Sequence, residues 1–241
     1  MSIEKYFQSG AMNWFKEGEN SRYSSFHWNE INTQTLEAAN VVLEVCQKTN
    51  NPAIGIVGFG FGRETELLIK KGVKAKIIGL DINYSRFSET KKIKTDLFQD
   101  NFFPVTASMN NTPFANDTFD ATLCLETMMH SDNPATTLRE LTRITKPSGI
   151  IIFNMSTTQG IIRDLGHMLS VEGLPRIIVR LKERVLLTGD SSSKRTRLYS
   201  REQIEDIILK NSNTEVVETR NYLKGLSTYI VLKKSDKNKD F

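Results

Sequence analysis

Three glycines at alternate positions, Gly58, Gly60 and Gly62, interrupt the run AIGIVGFGFGRETELL, which is apolar before them and acidic and helix-forming after them. A strand that passes through a glycine loop into a helix places backbone N–H groups and the positive end of that helix beside a ligand. A nucleoside-triphosphate loop would need GxxxxGK[ST], and neither that lysine nor that hydroxyl is present. A dinucleotide loop would need GxGxxG, and its third glycine position is Arg63. What remains is GxGxG. Asp81 closes the next apolar segment, near the ~20-residue offset at which a strand-end acid meets a ribose. His130, four residues beyond Glu126, follows the exit of a later apolar segment. An imidazole there can take a proton from a hydroxyl or amine near neutral pH. Glu126 stands at the same exit as a candidate contact to cofactor or substrate. No His, Cys, Asp or Glu set has metal-ligand spacing, so no metal is expected.

These residues need strands and helices to bring them together, and the chain supplies the alternation. A helix is expected over Asn32 to Lys48, with Leu36, Ala39, Val42, Leu43 and Cys46 at helical spacing and Asn32 or Thr33 as N-cap. Strands are expected at Ala53–Val57, in KAKIIGLD ending at Asp81, in NFFPVTAS, in FDATLCLE, and in GIIIFNMS after a KPSG turn. Between them lie helical segments, RETELLIKKG ending at Gly72 and PATTLRELTRIT opening on Pro134 among them. Strands separated by helices of this length imply a parallel, doubly wound sheet. From Thr157 to Tyr199 the rhythm gives way to two apolar helical stretches and a polar loop. SREQIEDIILKN then reads as a helix capped by Ser200 with Gln203 completing a capping box, followed by closing strands TEVVETR and STYIVLKK.

In register with GxGxG come IIGLDIN, ASMNNTPFANDTFD, LCLETMMHSDNP and LRELTRITKPSG, and the stretch from about Leu36 to Phe153 resembles a class I S-adenosylmethionine-dependent methyltransferase of the small-molecule type. The resemblance implies a Rossmann-like, seven-stranded, mostly parallel sheet with an antiparallel last strand, and S-adenosyl-L-methionine as cofactor. It implies that Asp81 accepts the ribose hydroxyls with Ile82 beside it. It also implies that Ser108 and Met109 flank the adenine, and that N–H groups near Gly58 and Gly60 meet the methionine carboxylate. The family's usual acid two positions before the first glycine is Ile56 here, and its adenine-side acid is Ser108.

The chain of 241 residues is long enough for one α/β domain with a full core. Domain limits are expected at 1–31 for an N-terminal segment and 32–241 for the catalytic domain, with the helical insert at about 158–199. Tyr6, Trp14, Tyr23, Phe26 and Trp28 form an aromatic lid that would close, with His130, over a small apolar or aromatic acceptor. The alternative acceptor is RNA, which the basic stretch 176–201 would follow along its phosphates, although no separate nucleic-acid module is present. A second alternative is a catalytically silent cofactor-binding subunit. The net charge of +4 permits an acidic partner without demanding one. Cys46 and Cys124 suggest no disulfide framework. No stretch approaches the ~18 apolar residues of a membrane span, and the expectation is a cytoplasmic protein, with a homodimer possible.

Overall fold

The computed structural model describes residues 22–93, 102–158, 198–222 and 227–236, with the backbone alone at 22–32, 92 and 93. Seven strands build one sheet: β1 Ala53–Val57, β2 Lys76–Asp81, β3 Phe102–Thr106, β4 Phe119–Cys124, β5 Thr145–Ser156, β6 Thr214–Tyr222 and β7 Ser227–Lys234. The helices are α1 Arg22–Lys48, α2 Arg63–Lys70, α3 Tyr84–Ile93, α4 Pro134–Ile144 and α5 Arg201–Asn211. In space the strands run β3-β2-β1-β4-β5-β7-β6. The first five are parallel, and β7 is antiparallel to both of its neighbours. This is the expected Rossmann-like sheet with its last strand reversed. The chain order turns back between β1 and β4, so a crevice opens at their carboxyl ends, where such sheets hold ligands.

Both faces of the central strands are covered, which explains why β1, β4 and the second half of β5 are almost continuously apolar, while the edge strands β3 and β6 are largely exposed. Ala38 and Val42 of α1, Leu68 of α2 and Phe87 of α3 bury one face together with Ile54, Ile56, Leu123 and Ile152. Leu138 and Leu141 of α4 and Ile204 and Ile208 of α5 bury the other with Val57, Ile151, Phe153 and Met155. The alternation along β5 obeys the period of two. Helix ends follow their caps. Asn133 Oδ1 accepts the Thr136 N–H ahead of Pro134, and both bonds of the Ser200–Gln203 capping box form.

Two expectations are corrected. Asn32 and Thr33 do not cap α1, because the helix begins ten residues earlier and runs unbroken through the expected boundary at 31/32. Only its second half shows an apolar stripe, so its start left no periodic mark. The KPSG segment does not precede β5 but interrupts it: Ser148 has φ +60° and the register with β4 breaks between Phe119 and Ala121. The expected insert, with most of the basic stretch, lies outside the described residues. Among the described residues no helix is long and apolar enough to cross a membrane.

Candidate functional site

The glycine loop joins β1 to α2 with left-handed backbone at Gly58 (φ +81°), Gly60 (φ +54°) and Gly62 (φ +70°). A side chain at Gly58 is also excluded by contact, since a Cβ there would lie 2.1 Å from Thr127 Oγ1. At Gly60 the same atom would meet nothing closer than Gly58 O at 3.9 Å, so this glycine faces open space. The backbone can be approached closely here, as GxGxG requires.

The loop's N–H groups are otherwise engaged than expected. Gly58 N–H donates to Leu80 O at 2.7 Å, Gly62 N–H to Phe59 O at 2.9 Å, and Gly60 N–H to Asp81 Oδ2 at 2.8 Å. The amides of Gly58 and Gly60 are therefore not available to a ligand carboxylate; they lock the loop onto the end of β2. Asp81 Oδ1 accepts the Asn83 N–H at 2.9 Å, and Asn83, not Asp81, caps α3 by accepting from Ser85 N–H at 3.0 Å. The Ile82 N–H also bears on this carboxylate, which keeps acceptor capacity beyond these amides. Burial raises the Asp81 pKa above the ordinary aspartate value, opposed by the Asn83 and Gly60 amides and by Arg86. Ile82 follows at the strand end with 42 % exposure. Phe59 is a core residue stacked on Phe87, while Arg86 lies 4.4 Å over the Phe61 ring.

Ala107 N–H donates to Asp81 O at 3.1 Å and brings the Ser108–Met109 loop to the same strand end. Ser108 Oγ accepts the Asn110 N–H, and Met109 packs on the core of the second face. Arg143 holds the following segment by donating to Phe114 O at 2.7 Å and to Glu140. The Glu140–Arg143 pair of the LRELTRITKPSG segment thus acts as scaffold.

On the other side of the loop, Glu126 adopts φ +51°, beyond the end of β4 and not on it. Asn154 of β5 makes that turn possible. Its Oδ1 accepts the Glu126 N–H at 2.6 Å, while its Nδ2 donates to the Glu126 carboxylate and to Gln34 Oε1 at 2.8 Å. Gln34 and Asn154 are fully buried, and Gln34 Nε2 has no partner. Burial raises the Glu126 pKa, against the Asn154 hydrogen bond and the Arg63 charge. His130 closes the short 3-10 turn Met128–His130 with an exposed ring, and desolvation by the protein around it lowers its pKa. That lowering favours the neutral imidazole.

The structure thus gathers Gly58, Gly60, Gly62, Asp81, Ile82, Ser108, Met109, Glu126 and His130 at one end of the sheet. Tyr23, Phe26 and Trp28 lie on the first turns of α1, with their side chains outside the described residues, as are Tyr6 and Trp14 altogether. Among the described residues no group of three or more His, Cys, Asp or Glu has the arrangement of a metal site. Gln34, Asn154 and Thr127 join these residues without having been singled out by the sequence. A signal existed for two of them: Gln34 sits in helical phase with buried Ala38 and Val42, and Asn154 interrupts the apolar run of β5.

Residues 56–153 match a family model described as a methyltransferase domain. An uncharacterised protein of Methanocaldococcus jannaschii, MJ1252, is 24 % identical over 250 residues, covering 95 % of this chain and 89 % of that protein. Among solved structures, magnesium protoporphyrin IX methyltransferase of Synechocystis PCC 6803 with bound S-adenosylhomocysteine aligns with TM-score 0.64 and 15 % identity. That alignment covers 97 % of this chain and 98 % of the other. The complex of the Haloferax volcanii Trm112 methyltransferase activator with its methyltransferase aligns with TM-score 0.65 and 13 % identity, over 96 % and 97 % of the two chains. At these identities the two structures speak for the fold.

Proposed function

We propose that this chain, a class I S-adenosylmethionine-dependent methyltransferase, passes the methyl group to a small apolar or aromatic acceptor. The observation that carries the cofactor site is the open space at Gly60 directly beside a half-buried carboxylate, Asp81, that has lone pairs to spare. The residues present suit an adenosyl amino acid: acceptors for a ribose diol at Asp81, an apolar side chain at Ile82 for a flat base, and the Ser108–Met109 loop alongside. When bound, S-adenosylmethionine supplies a methyl on a positively charged sulfur, already activated for in-line displacement.

The protein's share is then position, exclusion of water and custody of a proton. Positioning is worth ~7–11 kcal/mol, whereas one general base contributes about 10²–10⁴-fold. The locked loop and the Asn154-braced turn at Glu126 provide the rigid part. His130, exposed on the rim and with its pKa lowered by desolvation, is the group that takes a proton from an acceptor hydroxyl or amine. The lid belongs to the residues before Gln34. The turn 49–52 returns the C-terminal end of α1 to the base of β1, so the helix's first half runs on past the crevice, and with it Tyr23, Phe26 and Trp28. An aromatic segment there favours a planar or greasy acceptor. The RNA alternative rests on 176–201, nearly all of it outside the described residues, and gains no support here. Turnover of a panel of phenols, amines and acids, read by release of S-adenosylhomocysteine, tests this reading. Activity on the panel supports it; methylation of bulk RNA with none of the panel would replace it.

A further inference from the structure

Two polar groups beside the end of β4 have no role in what precedes: the second oxygen of the Glu126 carboxylate, whose Oε1 takes the Asn154 amide, and the buried Gln34 Nε2, which meets no hydrogen-bond partner. We propose that these two atoms hold the amino-acid end of S-adenosylmethionine, the Glu126 carboxylate taking its α-ammonium and the Gln34 amide its α-carboxylate. The inference rests on the cofactor reading above and assigns the half of the cofactor that reading leaves without partners.

An α-ammonium entering a desolvated crevice needs an anion, and an α-carboxylate needs a donor. Strand β1 offers no anion, because Ile56 is 2 % exposed and paired between Gly79 of β2 and Leu123 of β4. Asp81 stands on the β2 side, where the reading above gives its free acceptor capacity to the ribose. Glu64, at the start of α2, is already gripped by Arg63 through Nε at 3.1 Å and the terminal nitrogen at 2.6 Å. Among the described residues at this end of the sheet, Glu126 is the carboxylate that remains. The glycine loop cannot serve the α-carboxylate through Gly58, Gly60 or Gly62, whose N–H groups all meet protein acceptors.

Position agrees. Because β1 separates β2 from β4, Asp81 and Glu126 flank the loop on opposite sides. In the cofactor the ribose and the amino acid likewise lie at opposite ends of a short sulfur-centred chain. Thr127, next to Glu126, fills the space a Cβ at Gly58 would take, so the acid directly adjoins the loop. The two groups also come as a pair. Asn154 Nδ2 bonds the Glu126 carboxylate and Gln34 Oε1 at once, which sets the amide beside the acid. An α-amino acid presents a cation and an anion side by side on one carbon. A left-handed, non-glycine residue held from both its backbone and its side chain by one buried asparagine is a preorganised acceptor.

Calorimetry with S-adenosylhomocysteine and with 5′-methylthioadenosine, which keeps the adenosine and the sulfur but lacks the amino acid, separates this inference from the reading beneath it. Glu126→Gln is expected to weaken S-adenosylhomocysteine about 10–100-fold and to leave 5′-methylthioadenosine within about 2-fold. Gln34→Met, similar in volume, is expected to weaken the first ligand about 3–10-fold and spare the second. Unchanged S-adenosylhomocysteine affinity in Glu126→Gln, or an equal loss of both ligands, overturns the assignment. Should the variants not fold, the wild-type protein still decides. S-adenosylhomocysteine must bind more tightly than 5′-methylthioadenosine, and its advantage must grow as pH rises through the raised pKa of Glu126, which Arg63, Glu64 and the neutral Asn154 face. A pH-independent or absent advantage overturns the inference alone. Failure of the wild-type protein to bind either ligand overturns the cofactor reading as well.

Discussion

The two ends of the central sheet use carboxylates in opposite ways. At the amino end, Asp120 accepts the Ala53 N–H at 2.8 Å and the Lys146 ammonium at 2.9 Å on each oxygen, and Asp117 receives Lys234 at 2.6 Å. Both of these carboxylates are met by a lysine from another strand, and the arrangement ties β1, β4, β5 and β7 together. At the carboxyl end, neither Asp81 nor Glu126 is salt-bridged among the described residues; each is held by amides, desolvated, and left with acceptor capacity. Burial raises both of their pKa values, the mark of anions held without direct cationic partners. Saturated acids fasten a sheet, whereas preorganised, unsaturated acids wait for something to complete them.

The sharpest way to break this contrast is at the loop. Gly58→Ala forces a side chain into Thr127 at φ +81°, and the expected loss is about 2–5 kcal/mol of stability in urea unfolding. Gly60→Ala carries only the backbone strain, about 1 kcal/mol, and should fold while losing S-adenosylhomocysteine, because its methyl enters the open space. Normal binding by Gly60→Ala would mean that the space is not the cofactor's. Next in size, Asp81→Ala should weaken S-adenosylhomocysteine by about 1–3 kcal/mol in calorimetry. At the other end, Asp120→Asn should reduce stability by about 1 kcal/mol, since Lys146 is partly exposed and screened, with no change in ligand affinity. A shift in affinity there would erase the distinction between the two ends.

The smallest effect is one of pH. Folded Asp81 and Glu126 hold protons more tightly than the unfolded chain does, so the folded state binds more protons between the ordinary and the raised pKa values. Their contribution to stability is full below the ordinary carboxylate values and is lost as pH rises through the raised ones. Urea titrations across that window should show the decline in the wild-type protein and a shallower one in Glu126→Gln.

Much of this was legible in the residues. The strand–helix alternation, Pro134, the Ser200–Gln203 box and the GxGxG loop followed by Asp81 all act locally, through propensity and spacing. What escaped was set by long-range contact. The first half of α1 shows no apolar stripe, so its helix could not be read from period. Whether the glycine amides are free depends on Leu80 O and Asp81 on the neighbouring strand. The link from Gln34 to Asn154 spans 120 positions, and only folding makes them partners. Asn154 was visible as a polar residue in an apolar strand, yet nothing in the chain order says that it braces Glu126.

A crystal structure of the complex with S-adenosylhomocysteine tests the central claim most directly. The account predicts the nucleoside along the carboxyl ends of β2, β1 and β4, its ribose hydroxyls on the Asp81 carboxylate and its backbone-facing edge against Gly60. Density for the ligand anywhere else, or an empty crevice at saturating ligand, would contradict it.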